Sequence, residues 1–258
     1  MSDPLIVFDI ETIPDAAHHT DDSFPKPLFH QVVAISFLEA HLESSESGSF
    51  YAVDLLRSGG DAGYTEAQLI KGFFQYVEKK KPRLVTFNGR GFDLPVLKYR
   101  AMKHEVSARW FAQGEGKWDN YQHRYSVDWH FDLMDALADH GASKNAGLDE
   151  VCGLLALPGK IGMDGTQVKG FFEAGRIQEI RNYCETDVLS TYLIFLRFAL
   201  FRGEISAAGH AASIDNLKAY LNAARLERPH LGAFLDVWAA KNSASFMQPT
   251  TAQKPAVS

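Results

Sequence analysis

Two cysteines in 258 residues leave no material for a disulfide framework, and at positions 152 and 184 they form no CxxC pair of the kind that builds a zinc or redox site. Both fall within helical patterns and read as buried thiols of a reducing compartment. Long apolar runs are missing too, and none reaches the length of a membrane span. The run Leu5–Ile10 is too short, and too soon interrupted by Asp9, to serve as a signal peptide, so a cytoplasmic protein without membrane contact is expected. Basic excess is lacking as well. The net charge of −6 is the wrong sign for a protein that grips duplex nucleic acid along many phosphates. No internal repeat is evident. A hydrophobic fraction of 46% is ample for one globular domain with an appendage, or two domains at most.

What is present is acid in a pattern. Leu5–Ile10 reads as a buried central strand, and alternation along a strand sends Asp9 and Glu11 to one face near its C-terminal end. A carboxylate pair at a buried strand end is costly unless paired or bound to metal, and it offers a bite to a hard cation such as Mg²⁺ or Mn²⁺. Asp93 follows the apolar strand Arg83–Phe87 and the turn Asn88-Gly89-Arg90-Gly91, and opens a helix over Leu94–Lys103. Taken alone, it reads as a helix cap. Tyr183 and Asp187 stand four residues apart in the proline-free helical stretch Ile177–Leu200, so they share one helix face. Four carboxylates from three elements are what phosphodiester hydrolysis requires. Two divalent ions roughly 3.5–4 Å apart neutralise charge at the attacking and leaving oxygens, and several carboxylates must hold them.

The wording FDIET (8–12), NGRGFDLP (88–95) and YCETD (183–187) resembles the tyrosine branch of the DEDD superfamily of 3′–5′ exonucleases (DEDDy), which have a ribonuclease H-like fold. Within it the closest likeness is to the proofreading domain of family B DNA polymerases and to a stand-alone group of predicted exonucleases related to that domain. The resemblance covers about residues 5–200. It implies that Asp9, Glu11 and Asp187 ligate one cation, that Asp9 also bridges to a second held by Asp93, and that Tyr183 orients the attacking water. An ordinary phenol pKa of about 10 makes tyrosine a poor base near neutrality. Thr12, Asn88 and Phe92 match positions that touch the terminal nucleotide, Phe92 by stacking. The implied partner is the 3′ end of single-stranded nucleic acid, DNA before RNA, in a setting such as DNA repair; a polymerase or repair partner stays open. An exoribonuclease or oligoribonuclease, and a non-catalytic nucleic-acid-binding module of the same fold, remain alternatives. Bound divalent ions would offset part of the net negative charge.

Other clusters read as structural. Asp128, His130, Asp132 and Asp135 look like the acid-rich start of a helix, favoured by its dipole. Lys79–Lys81 looks like a basic helix end. His18 and His19 sit in a proline-bearing loop that would overhang the site. The expected class is α/β: strands at Leu5–Ile10, Gln31–Leu38, Phe50–Val53, Arg83–Phe87 and Ser126–His130 in a mixed sheet, with helices at Thr65–Glu78, Asp132–Asp139, Leu148–Leu155 and Thr166–Ala174 besides those named. Ala112–His123 reads as a surface insertion. The expected division is an exonuclease domain over residues 1–205, a helical C-terminal appendage over 206–241 made of two short helices broken at Pro229, and a disordered tail over 242–258.

Overall fold

The computed structural model describes residues 4–19, 23–46, 48–116 and 118–246. Its centre is a five-stranded sheet in the order β3-β2-β1-β4-β5. The strands are β1 (Leu5–Pro14), β2 (His30–Ser45), β3 (Gly48–Ser58), β4 (Arg83–Thr86) and β5 (His130–Asp132). The first three form an antiparallel meander, while β4 and β5 run parallel to β1. This is the mixed sheet expected of a ribonuclease H-like fold, with helices on both faces.

Alternation along β1 decides which helices cover which face. Ile6, Phe8 and Ile10 enter the core beneath α1 (Glu66–Lys80) and α2 (Asp93–Lys103). Leu5 and Val7 enter the opposite core. That core is filled by α7 (Ile177–Phe201) and the C-terminal pair α8 (Ala207–Ala224) and α9 (Pro229–Phe246). The odd series continues into Asp9 and Glu11, so β1 itself aims both carboxylates at the α7 side. From Tyr183 to Leu196 every residue of α7 is buried. A helix apolar all round belongs inside a protein. Between them lie the short helices α3 (Arg109–Gln113), α4 (Leu133–Leu137), α5 (Leu148–Leu154) and α6 (Val168–Glu173).

Several expectations need correction. The last strand lies at His130–Asp132 rather than Ser126–His130, because the Ser126 hydroxyl accepts the amides of Asp128 and Trp129 and closes a turn there. The stretch Ala112–His123 is mostly exposed, as expected of a surface insertion, but it is anchored in the core at Asn120 and Tyr121. Tyr121 is 1% exposed, stacks on Phe111 at 5.0 Å and 9°, and donates its hydroxyl to the Pro82 carbonyl at the start of β4. The C-terminal helices are eighteen residues each, and α9 runs on through Asn242–Phe246, where the tail was expected to begin; the remainder of that tail lies outside the described residues. Among the described residues no helix is long and apolar enough to cross a membrane.

The C-terminal helices are tied to the sheet by polar bonds as well as apolar contact. Along α8, Ser213, Asn216 and Tyr220 accept the backbone amides of Tyr51, Val53 and Leu56, each at 2.9 Å. Those are outward-pointing donors of the edge strand β3, which would otherwise template further strand pairing. At the head of α9, Arg228 and His230 (2.7 Å) bond the buried Glu185 carboxylate of α7, which also accepts the Ser58 hydroxyl at 3.1 Å. A second network ties the β1–β2 loop down: Arg100 of α2 reaches Asp15 at 2.6 Å and Glu66, with Lys103 adding a 2.6 Å bond to Asp15.

Two stability predictions follow from these networks. Arg228→Ala leaves the buried Glu185 carboxylate with only His230 and Ser58 and should cost about 2 kcal/mol in denaturant unfolding. Asp15 is held well below the usual carboxylate range: burial pushes its pKa up, but the bonds from Lys103, Arg100 and His18 outweigh it. A depressed folded pKa supplies stability above the unfolded value of about 3.9, lost as pH falls through the folded value. The unfolding midpoint of the wild type should therefore fall more steeply below about pH 4 than that of Asp15→Asn; parallel acid limbs would refute this.

Candidate active site

The parallel strands β1, β4 and β5 end at one edge of the sheet, the usual place for a site in such sheets. Beyond Val7 the β1–β4 ladder stops, leaving the inward amide of Ile10 without a strand partner there. Asp93 takes its place: its Oδ1 accepts the Ile10 amide at 3.2 Å. One residue after Glu11 the register of β1 against β2 slips, Glu11 facing Ala34 and Thr12 facing Val32. Such bulges bend a strand and re-aim its side chains beside functional sites.

The turn before Asp93 is built for close approach. Asn88 has a φ of 67°, in the left-handed region. A Cβ at Gly89 would lie 2.4 Å from the Thr86 hydroxyl, and one at Gly91 2.4 Å from Asn88 Oδ1. Asp132 holds the turn from the next strand: its carboxylate accepts the amides of Asn88 (2.9 Å) and Arg90 (2.8 Å) while capping α4 through Met134 and Asp135. The helix-start reading of this acidic cluster is correct for Asp132, yet the carboxylate also shapes the turn that aims Asp93. Asp135 is engaged by Arg124 and His140, and buried His130 by Thr86.

All five residues singled out in the three motifs meet here. Glu11, Asp93 and Asp187 are 7%, 3% and 7% exposed, Asp9 is half-buried, and Tyr183 is buried. Burial raises every carboxylate, and repulsion from neighbouring carboxylates adds to it. Asp9 and Glu11 lie well above the ordinary range, Asp9 with Asp93, Glu11 and Asp187 all acting on it, and Asp93 and Asp187 are pushed up to about 7 chiefly by burial. Burial, together with the neighbouring carboxylates of Asp187, Glu11 and Asp9, raises the pKa of Tyr183. Asp187 Oδ1 is buried without any hydrogen-bond partner. An orphaned carboxylate oxygen beside three other carboxylates is a donor set that suits a divalent cation.

Sequence reasoning missed two participants. Lys160, on the loop after α5, exerts the opposing field that lowers Glu11 and Asp187. Its position 23 residues before Tyr183 carries no local signal. Cys184 is the buried thiol that was expected, but its place at the site was not: its Sγ lies 3.4 Å from the Asp9 carbonyl and 3.7 Å from Asp9 Oδ2, within a tight group formed with Asp9 and Glu11. Burial pushes its pKa well up, so it stays a thiol that donates to Asp9 and is a poor ligand for a hard ion. The three residues expected at the substrate stand at the rim. Thr12 Oγ1 lies 2.8 Å from His30 Nδ1, Asn88 occupies the turn, and Phe92 sets its ring against His30.

Segments of about a hundred residues are 36% and 35% identical to DNA polymerases of Thermococcus aggregans and Thermococcus litoralis, matching 40% and 38% of this chain but 5% of each polymerase. The chain therefore corresponds to a small part of those relatives. Among solved structures, Escherichia coli exonuclease I in complex with a 5cy-dT13 oligonucleotide aligns over 88% of this chain and 45% of its own, at 14% identity and a TM-score of 0.35. The profile of a family described as predicted 3′–5′ exonucleases related to the exonuclease domain of PolB matches residues 22–238, where a span of about 5–200 was expected: it begins after β1, so that Asp9 and Glu11 lie outside it, and it continues through α8 into α9. The chain belongs to that family of PolB-related 3′–5′ exonucleases.

Proposed function

We propose that this protein is a metal-dependent 3′–5′ exonuclease that removes nucleoside monophosphates from the 3′ ends of single-stranded nucleic acid, DNA in preference to RNA. The observation that carries the reading is the convergence of Asp9, Glu11, Asp93 and Asp187 with Tyr183 at the C-terminal end of β1, with Asp187 Oδ1 left bare. The preference for DNA is supported by the likeness to DNA polymerases. Residues 1–205 are taken as the catalytic unit, with α8 and α9 as a helical layer that covers the β3 edge and braces α7 through Glu185.

Asp9, Glu11 and Asp187 would hold one divalent cation and Asp9 with Asp93 a second, Mg²⁺ or Mn²⁺ by the hardness of the oxygen donors. When bound, such ions supply charge neutralisation at the attacking and leaving oxygens and make water acidic enough to serve as nucleophile. The protein's own contribution is positioning. Asp93 is fixed by the Ile10 amide, and the thiol of Cys184 steadies Asp9. Tyr183 keeps its proton near neutrality, so its hydroxyl orients water by hydrogen bonding and does not act as a base. Lys160 adds a positive charge beside Glu11 and Asp187, where a phosphate must approach against four carboxylates.

A 5′-labelled single-stranded oligonucleotide, as DNA and as RNA, incubated with Mg²⁺, Mn²⁺ or chelator, tests the reading. The expected result is a metal-dependent ladder shortening from the 3′ end, faster on DNA. Asp9→Ala should lower the rate at least about 10³-fold, since it removes the ligand shared between the ions. Tyr183→Phe should lower kcat by about 10²-fold with metal affinity nearly intact. No metal-dependent cleavage of either strand would overturn the proposal.

A further inference from the structure

The segment that carries Lys160 toward the carboxylates is strained and is held from outside. It leaves the end of α5 through Ala156, a non-glycine residue at φ 55°, and passes two further left-handed positions at Gly159 (φ 70°) and Gly162 (φ 77°). Alanine is costly in that region and stays there only where its surroundings impose it. Gly159 leaves no room for a side chain: a Cβ would lie 2.8 Å from Asp149 Oδ1.

The constraints come from three helices. Three consecutive carbonyls of the segment accept side-chain donors. Lys241 Nζ, on α9, bonds the Leu157 and Pro158 carbonyls, each at 2.9 Å, and Ser190 Oγ, on α7, bonds the Gly159 carbonyl at 3.2 Å. The next amide, that of Lys160, donates to Asp149 Oδ1 of α5 at 2.8 Å. Ser190 follows Asp187 by three residues, so Gly159 rests on α7 about one turn beyond that carboxylate. Lys160 adjoins it, at a place where its charge is felt by both Glu11 and Asp187.

Among these contacts Lys241 has the most leverage. One ammonium on two successive carbonyls fixes the peptide between them, and a charged donor makes the stronger bond. Pro158 has no N–H with which to anchor the chain itself. The lysine is also presented from a fixed helix. Trp238, three residues earlier on α9, is 4% exposed in the core that α9 shares with α7.

We propose that Lys241 is a positioning residue for the nuclease reaction: from α9 it clasps the carbonyls of Leu157 and Pro158 and so holds Lys160 against the carboxylate cluster. The last helix is then part of the catalytic apparatus as well as a cover for the sheet. This inference rests on the exonuclease reading above and extends it to a residue outside the three motifs and beyond the span matched to the family.

A double-mutant cycle with a structural readout beside it tests the clasp. Wild type, Lys241→Met, Lys160→Met, the double variant and Lys241→Arg are assayed on 5′-labelled single-stranded DNA with Mg²⁺ or Mn²⁺. Lys241→Met should lower kcat about tenfold, because a displaced charge no longer faces the reacting phosphate. In the Lys160→Met background the same change should cost less than about twofold, since the group it positions is gone. Lys241→Arg keeps the charge and the N–H donors and should recover most of the loss. Amide hydrogen exchange reads the clasp without turnover. Exchange at the Lys160 amide should quicken about tenfold in Lys241→Met, the loss of one anchoring bond from a charged donor, with the amides around Glu185 unchanged. The positioning role is overturned if Lys241→Met keeps the wild-type kcat, if its loss is the same with and without Lys160, or if exchange at Lys160 does not change. A wild type that shortens no DNA with either ion overturns the exonuclease reading and the positioning role with it, whereas an active enzyme that fails the cycle overturns the positioning role alone.

Discussion

Four carboxylates from β1, α2 and α7 share a small, poorly hydrated space, and that crowding is the constraint on which the rest of the structure depends. Burial and repulsion raise all four, and without a cation the cluster relieves itself by holding protons and by recruiting donors. The donors are few and specific: the Ile10 amide on Asp93 and the Cys184 thiol on Asp9. Asp187 Oδ1 receives none. A fold that places like charges together at this cost must brace each element that carries them.

The braces are what surrounds the site. The helix bearing Tyr183 and Asp187 is buried on every side and locked at Glu185 by Arg228, His230 and Ser58. The loop after β1 is pinned through Asp15 by Arg100 and Lys103, and its far end is drawn in by His30. The turn that aims Asp93 is held from a neighbouring strand by Asp132. Three buried polar networks thus converge on three catalytic segments. Each is fully engaged where an unpaired member would cost most. The C-terminal helices belong to the same scheme, closing the free edge of β3 with side-chain acceptors and bracing α7 from behind.

The errors of sequence reading have physical causes. Ala112–His123 is exposed over most of its length, as read, but its glycines and polar residues hide the one anchor, Tyr121, which packs on Phe111, Trp110 and Trp129 and buries itself. The strand expected at Ser126–His130 is displaced by a serine whose hydroxyl outcompetes the ladder for two amides. Lys160 acts on the site through a loop whose path no periodicity reveals. His30 reaches Thr12, and Phe24 of the proline-bearing loop reaches His30 and Phe92, only once β2 pairs with β1.

By itself the amino-acid sequence determined most of the elements and the residues that cluster at the end of β1. Period-two alternation put Asp9 and Glu11 on one face, four-residue spacing put Tyr183 and Asp187 on another, and a glycine-bearing turn delivered Asp93 to a helix start. These are local regularities of backbone geometry, legible wherever the pattern is unbroken. Only the tertiary structure decided how the three faces meet, which carboxylate keeps a bare oxygen, that a cysteine and a lysine join the cluster, and that an aromatic loop closes its rim. Those features arise between segments up to 178 residues apart in the chain, as Asp9 and Asp187 are. Contact at such separation is set by strand order and by the burial of α7, and neither leaves a trace in local spacing.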